Sequence, residues 1–152
     1  ELPWAEINEG RRLWTLPATR SKNNRPHTVP LSTQSWRILS NVVSTDPALV
    51  FGSMDFGRIK RELDSKLSFA VPWRLHDLRR SAATGMVEIG ILPHIVEVCL
   101  NHVSGHRAGI AGIYNRAEHV AAKAAALQRW GDHVERLVSG KTEDNVHALR
   151  AR

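Results

Sequence analysis

Arg12-Leu13-Trp14-Thr15-Leu16-Pro17 alternates polar and apolar residues. That is the period of a strand with one buried face. His27-Thr28-Val29-Pro30-Leu31 reads as its partner, and the link between the two is polar and basic. Asn23-Asn24 in that link tolerate the positive φ that a turn needs. The two runs predict a β-hairpin with Lys22 near its tip. Pro26 and Pro30 lack an N–H and mark an edge strand. From Ser32 onward the apolar spacing is mainly helical. A hairpin followed by helices confines the chain to a mainly α fold with a small antiparallel β-sheet, an α+β domain.

Ser32 or Thr33 can cap a helix running to about Val43, with Trp36, Leu39 and Val43 on one face. Asp46-Pro47 breaks the chain, and Leu49-Val50-Phe51 is a short apolar segment that fits more than one element type. Ile59, Leu63 and Leu67 predict a helix over 58–67. Asp77 suits the start of a helix ended by Gly90, and Pro93 suits the first turn of the next. Asn101 can take the left-handed conformation that ends that helix. Short helical spacing around 110–116 carries Tyr114. The run 118–138 contains Ala121-Ala122-Lys123-Ala124-Ala125-Ala126, of very high helix propensity. Val120, Ala124, Leu127 and Gly131 or Val134 trace an apolar stripe on it, and Trp130 adds a large apolar surface. The helix can pack on its own domain or dock on a neighbouring protomer, and we expect it to pack mainly in cis. Residues 1–138 are read as one domain and 139–152 as a polar tail expected to be disordered.

The chain has 152 residues and a net charge of +6. That length suits one core, and the charge favours a polyanionic partner, with nucleic acid ahead of an anionic membrane surface. No stretch approaches the roughly 20 apolar residues of a membrane span. Cys99 is the sole cysteine. It excludes an internal disulfide and fits a reducing compartment. With no C-x-x-C pair, a zinc site of that kind is unsupported, and no cofactor is expected.

Several polar residues carry phosphate chemistry by type. Arg79 offers a fork of donors that fits two phosphate oxygens. His76 precedes it by one helical turn, so both can face one ligand near a helix N-terminus that itself favours an anion. Arg80 points elsewhere and suits a salt bridge or a DNA-backbone contact. His102 ends an apolar helix, where it can also simply cap carbonyls, and His106 competes for any role given to it. Lys22 on a hairpin tip is ordinarily solvated. Desolvated beside other cations, its ammonium becomes a proton donor. Arg20 and Arg25 flank it as candidate backbone contacts. Tyr114, the sole tyrosine, is either a half-buried aromatic or a nucleophile that needs cations and a base nearby.

In their order, these residues resemble the catalytic domain of the tyrosine recombinases, the phage-type integrases. The resemblance rests on Lys22 with Val29-Pro30-Leu31, His76-Asp77-Leu78-Arg79, Leu100-Asn101-His102 and Tyr114, and it extends to about Val138. The family's Leu-Gly-His reads Leu-Asn-His here. The resemblance implies the family fold, metal-free cutting and rejoining of double-stranded DNA, and a 3′-phosphotyrosyl intermediate. It assigns Tyr114 as nucleophile, Arg79 and His102 as clamps on phosphate oxygens, Lys22 as acid and His76 as proton-transfer aid. It further implies a parent protein that assembles as a tetramer on DNA in the cytoplasm, at the nucleoid. The family's first catalytic arginine lies upstream of the segment resembling Trp4-Ala5-Glu6-Ile7. The chain is therefore expected to be a fragment that cuts DNA poorly by itself. Two rival readings stand beside this one: a non-catalytic DNA-binding module of the same fold, and a metal hydrolase using His76, His102 and His106.

Overall fold

The computed structural model describes residues 1–67, 69–102 and 119–140. Strands β1 (Ile7–Asn8), β2 (Leu13–Leu16) and β3 (His27–Pro30) form one antiparallel sheet in the order β1-β2-β3. Leu13 pairs with Pro30, Trp14 with Val29 and Leu16 with His27, so the predicted hairpin is present in register. β3 is an edge of this sheet, as expected from Pro30 within it and Pro26 just before it. A 3-10 turn over Trp4–Glu6 leads into β1.

Helix α1 (Thr33–Ser40) starts where Ser32 Oγ accepts the Ser35 N–H at 3.2 Å. It stops before the expected Val43, which is 97% exposed. The Asn41 side-chain amide takes the Arg37 carbonyl at 2.6 Å and closes the last turn early. The ambiguous apolar segment 49–51 is neither helix nor strand: a single bridge residue is followed by bends. Leu49 bridges to Pro3, and Val50 N–H donates to the Leu2 carbonyl at 2.8 Å. Val50 is fully buried with Ile7 and Leu39, against Trp4, Trp14 and Trp36.

Helix α2 (Phe56–Lys66) begins two residues before the expected start because Asp55 accepts the Arg58 N–H at 3.0 Å. Its apolar positions do not enter the core; Leu63 and Leu67 are each 39% exposed. Helices α3 (Leu75–Glu88) and α4 (Pro93–Cys99) form a tight pair. Gly90 joins them at φ +80, a conformation L side chains rarely adopt.

Helix α5 (Val120–Ser139) packs in cis against α1, α3, α4 and β3. Its buried face includes Leu127 and Trp130 as expected, with half-buried Gly131 in place of Val134, and adds two residues outside the stripe. Lys123 and Ala126 are buried, Leu127 and Trp130 pack on the core, and Val134 is exposed. Two contacts set this rotation. The Trp130 ring lies over Gly85 of α3, where a Cβ would come within 2.6 Å of it. The buried Lys123 ammonium donates to the Thr28 carbonyl of β3. This ties the α3–α4–α5 core of Met86, Ile91, Val96, Cys99 and Ala126 to the sheet.

Candidate active site

The site is built on the C-terminal end of α4. A helix ends with carbonyls that lack intrahelical partners. Here the last ones are all taken. Asn101 stands at φ +51, the left-handed conformation expected of it. With that bend, His102 N–H reaches the Glu97 carbonyl at 2.9 Å and Asn101 N–H reaches the Val98 carbonyl at 3.3 Å. This pair of bonds is a Schellman closure. The next carbonyls are taken from outside the helix. His27 Nε2 lies 3.2 Å from the Cys99 oxygen, and Arg79 Nη2 donates to the Leu100 oxygen at 2.5 Å.

Arg79 thus reaches from α3 to the residue two before His102. A guanidinium has five N–H donors. One held by a carbonyl fixes the plane of the fork, and Arg79 remains exposed to a ligand. His76 lies one turn earlier on α3 and is exposed too. That first turn is held by Asp77, whose carboxylate accepts the Arg74 N–H at 2.8 Å. Arg80 pairs with Asp77 at 3.4 Å. The His102 side chain is 64% exposed, with Nδ1 3.9 Å from Glu97.

Lys22 lies in the connection between β2 and β3 and is exposed. Its neighbours are fixed at the same helix end. Asn23 Nδ2 donates to Asn101 Oδ1 at 3.1 Å, and Asn101 Nδ2 donates to Ser21 Oγ at 3.5 Å. The other end of the connection is held by Arg20, which forms an ion pair with Glu6 and donates to the Glu1 carbonyl at 2.5 Å. Glu6 in turn accepts from Trp14 Nε1 at 3.0 Å. Arg20 is therefore engaged within the domain, whereas Arg25 is exposed and its backbone N–H donates to Asn23 Oδ1 at 3.2 Å.

The geometry brings Arg79 and the Lys22 connection onto the consecutive residues Leu100 and Asn101, immediately before His102. His76 shares α3 with Arg79, but among the described residues no hydrogen bond or ion pair joins its side chain to this group. Tyr114 and His106 lie outside the described residues. Among the described residues no group of three or more His, Cys, Asp or Glu side chains could hold a metal ion. None of their helices is long and apolar enough to cross a membrane. Burial pushes the Cys99 thiol up, against the opposing effect of Lys123, so it is a core residue and a poor nucleophile. Sequence reasoning marked Asn101 for its backbone alone. The parts played by its amide, by Ser21 and Asn23, and by His27 went unseen. An asparagine at a glycine position was the available signal.

Residues 1–119 match the phage integrase family. The chain is 33% identical over 152 residues to the prophage integrase IntA of Escherichia coli (strain K12), a match covering 92% of this chain and 35% of that protein. It is 29% identical over 146 residues to the prophage integrase IntZ of the same strain, covering 90% and 35%. The integrase of Shigella phage Sf6 is 25% identical over 146 residues, covering 90% and 37%. The chain thus spans 35–37% of the length of these relatives. No solved structure matches it.

Proposed function

The chain belongs to the phage integrase family, and on that premise we propose that it is the catalytic domain of a site-specific DNA recombinase. It acts within a longer polypeptide that cuts and rejoins double-stranded DNA. The Tyr114 oxygen attacks a scissile phosphate. A bond forms between that oxygen and phosphorus, and the bond from phosphorus to the 5′-oxygen breaks. Arg79 and His102 stabilise the charge on the non-bridging oxygens as the pentacoordinate state develops. Lys22 gives a proton to the departing 5′-oxygen, and His76 assists removal of the tyrosine proton. A 5′-hydroxyl from another strand reverses the steps and restores a DNA phosphodiester. The phosphotyrosyl bond keeps the energy of the broken bond, so ligation needs no nucleotide.

Arg25 and Arg80 add contacts to the DNA backbone, and Arg20 holds the connection that presents Lys22. The full-length protein works as a tetramer on DNA in the cytoplasm, at the nucleoid. What supports this reading most is the hydrogen bond from Arg79 to the Leu100 carbonyl. It joins the phosphate-binding fork of one helix to the end of the helix that leads into His102.

Tyr114→Phe in the full-length protein tests it. The change removes the attacking oxygen and keeps the ring. On a nicked substrate that traps the cleaved state, the Phe variant should bind DNA and form no covalent adduct. Persistent adduct would assign the attack to another residue. A wild-type protein that binds DNA yet never forms adduct would favour the non-catalytic module.

A further inference from the structure

Lys22 is exposed, and among the described residues no hydrogen bond or ion pair holds its side chain. Its neighbours in the chain are held instead. Ser21, Asn23 and Asn101 close a ring of side-chain hydrogen bonds. Ser21 Oγ donates to Asn23 Oδ1 at 2.7 Å, Asn23 Nδ2 donates to Asn101 Oδ1 at 3.1 Å, and Asn101 Nδ2 returns to Ser21 Oγ at 3.5 Å. Ser21 is 6% exposed, so the ring sits on the body of the domain. Lys22 lies between two of its members and cannot shift along the chain without breaking a bond to Asn101.

The backbone does not demand asparagine at 101. Glycine takes φ +51 with no side-chain penalty, and the Schellman bonds use main-chain groups alone. What asparagine adds is the amide. That amide spends both its acceptor and a donor on the two residues that flank Lys22. On its other side Asn101 adjoins Leu100, which holds Arg79, and His102.

We propose that Asn101 is a positioning residue for catalysis: through Asn23 and Ser21 its amide fixes Lys22 in register with Arg79 and His102. The proposal rests on the recombinase reading above. The reaction needs the lysine proton when the 5′-oxygen leaves, and a displacement of about 1 Å can cost on the order of a hundredfold in rate. The ring supplies that placement before DNA arrives.

The test uses the full-length protein with two nicked substrates. One has the natural 5′-oxygen at the scissile phosphate. The other has sulfur there, which leaves without a proton. The variants are Asn101→Gly, which suits the backbone, Asn23→Ala, which opens the ring from the exposed loop, and Lys22→Ala. Single-turnover cleavage and DNA affinity are measured for each. Asn101→Gly and Asn23→Ala should slow cleavage of the oxygen substrate by about tenfold, within the roughly 10²–10⁴ that a positioned acid contributes. Both should cleave the sulfur substrate at close to the wild-type rate, with affinity unchanged. Neither should slow Lys22→Ala further, since all act through one proton.

Equal losses on both substrates for the two ring variants would make the ring merely structural, and no loss on either would make it idle. Either result, with Lys22→Ala still rescued by sulfur, overturns the positioning role and leaves the recombinase reading standing. If Lys22→Ala is itself not rescued by sulfur, the acid role fails and the positioning proposal falls with it.

Discussion

Arg79 donates to the carbonyl of Leu100 at 2.5 Å, so the α3 arginine and the end of α4 are one structural unit. An arginine used only for surface charge would have no need of that anchor. The bond costs the guanidinium one donor and fixes its plane. A rigid fork is worth more to a phosphate than a mobile one, because less entropy is lost when it binds.

Arg79→Lys tests the fork. Lysine keeps the charge, but it cannot hold the Leu100 carbonyl and still present a planar pair of donors. We expect affinity for DNA to change little and cleavage to fall by roughly a hundredfold or more, comparable to loss of an oxyanion donor. A parallel loss of affinity and rate would mean that Arg79 serves binding in general.

Gly85→Ala probes the α3–α5 contact. The added Cβ would lie 2.6 Å and 2.7 Å from two atoms of the Trp130 ring. The ring is rigid and packed against the core, so one helix must give way. The expected destabilisation is about 1–3 kcal/mol, measured by urea unfolding. Trp130→Leu in the same chain should relieve part of the clash, so the two changes should not add.

Acid should loosen the α1–α5 contact. Gln34 donates to Asp132 at 2.8 Å and to Glu135 at 2.9 Å, and Arg37 reaches Glu135 at 2.8 Å. Hydrogen bonds from Gln34, then Gln128, hold the Asp132 carboxyl below its usual value. Bonds from Gln34, then Arg37, do the same for Glu135. A carboxylate with a lowered native pKa contributes stability that is complete above its unfolded value. That contribution is lost as pH falls from the ordinary range of about 3.9–4.3 through the lowered native values. The urea midpoint should drop over that interval, and Gln34→Ala should flatten the drop. Both carboxylates face solvent, so the effect should be small and weaker in high salt.

Arg25 should matter to DNA affinity and not to cleavage chemistry. Removing one phosphate contact lowers the log–log salt slope of binding by about 0.9. Arg25→Ala should show that change with the rate from bound complex preserved. An unaltered slope would remove Arg25 from the interface.

The hairpin was legible because alternation and paired prolines are local signals. So was the left-handed Asn101, since its place after an apolar helix needs no tertiary knowledge. Ser32 and Asp55 acted as caps within a turn of the expected helix starts. Other features depended on partners far along the chain. The apolar face of α5, Trp130 included, was visible, but its partner Gly85 and the burial of Lys123 against Thr28 were not, because helical spacing names no partner. A buried lysine runs against composition rules, which place its charge outside. At the site, residue types could nominate Lys22, His76, Arg79 and His102, but not the ring that joins Asn23 to Asn101 across 78 positions of sequence. Hydrogen bonds between side chains leave no periodic trace.

In the proposed intermediate Tyr114 carries the DNA. The direct measurement is to trap the covalent complex of the full-length protein on a nicked substrate, digest both polymers and identify the modified peptide by mass spectrometry. The expected product is a nucleotide joined through its 3′-phosphate to Tyr114. A nucleotide on any other residue, or one joined through its 5′-phosphate, would contradict it.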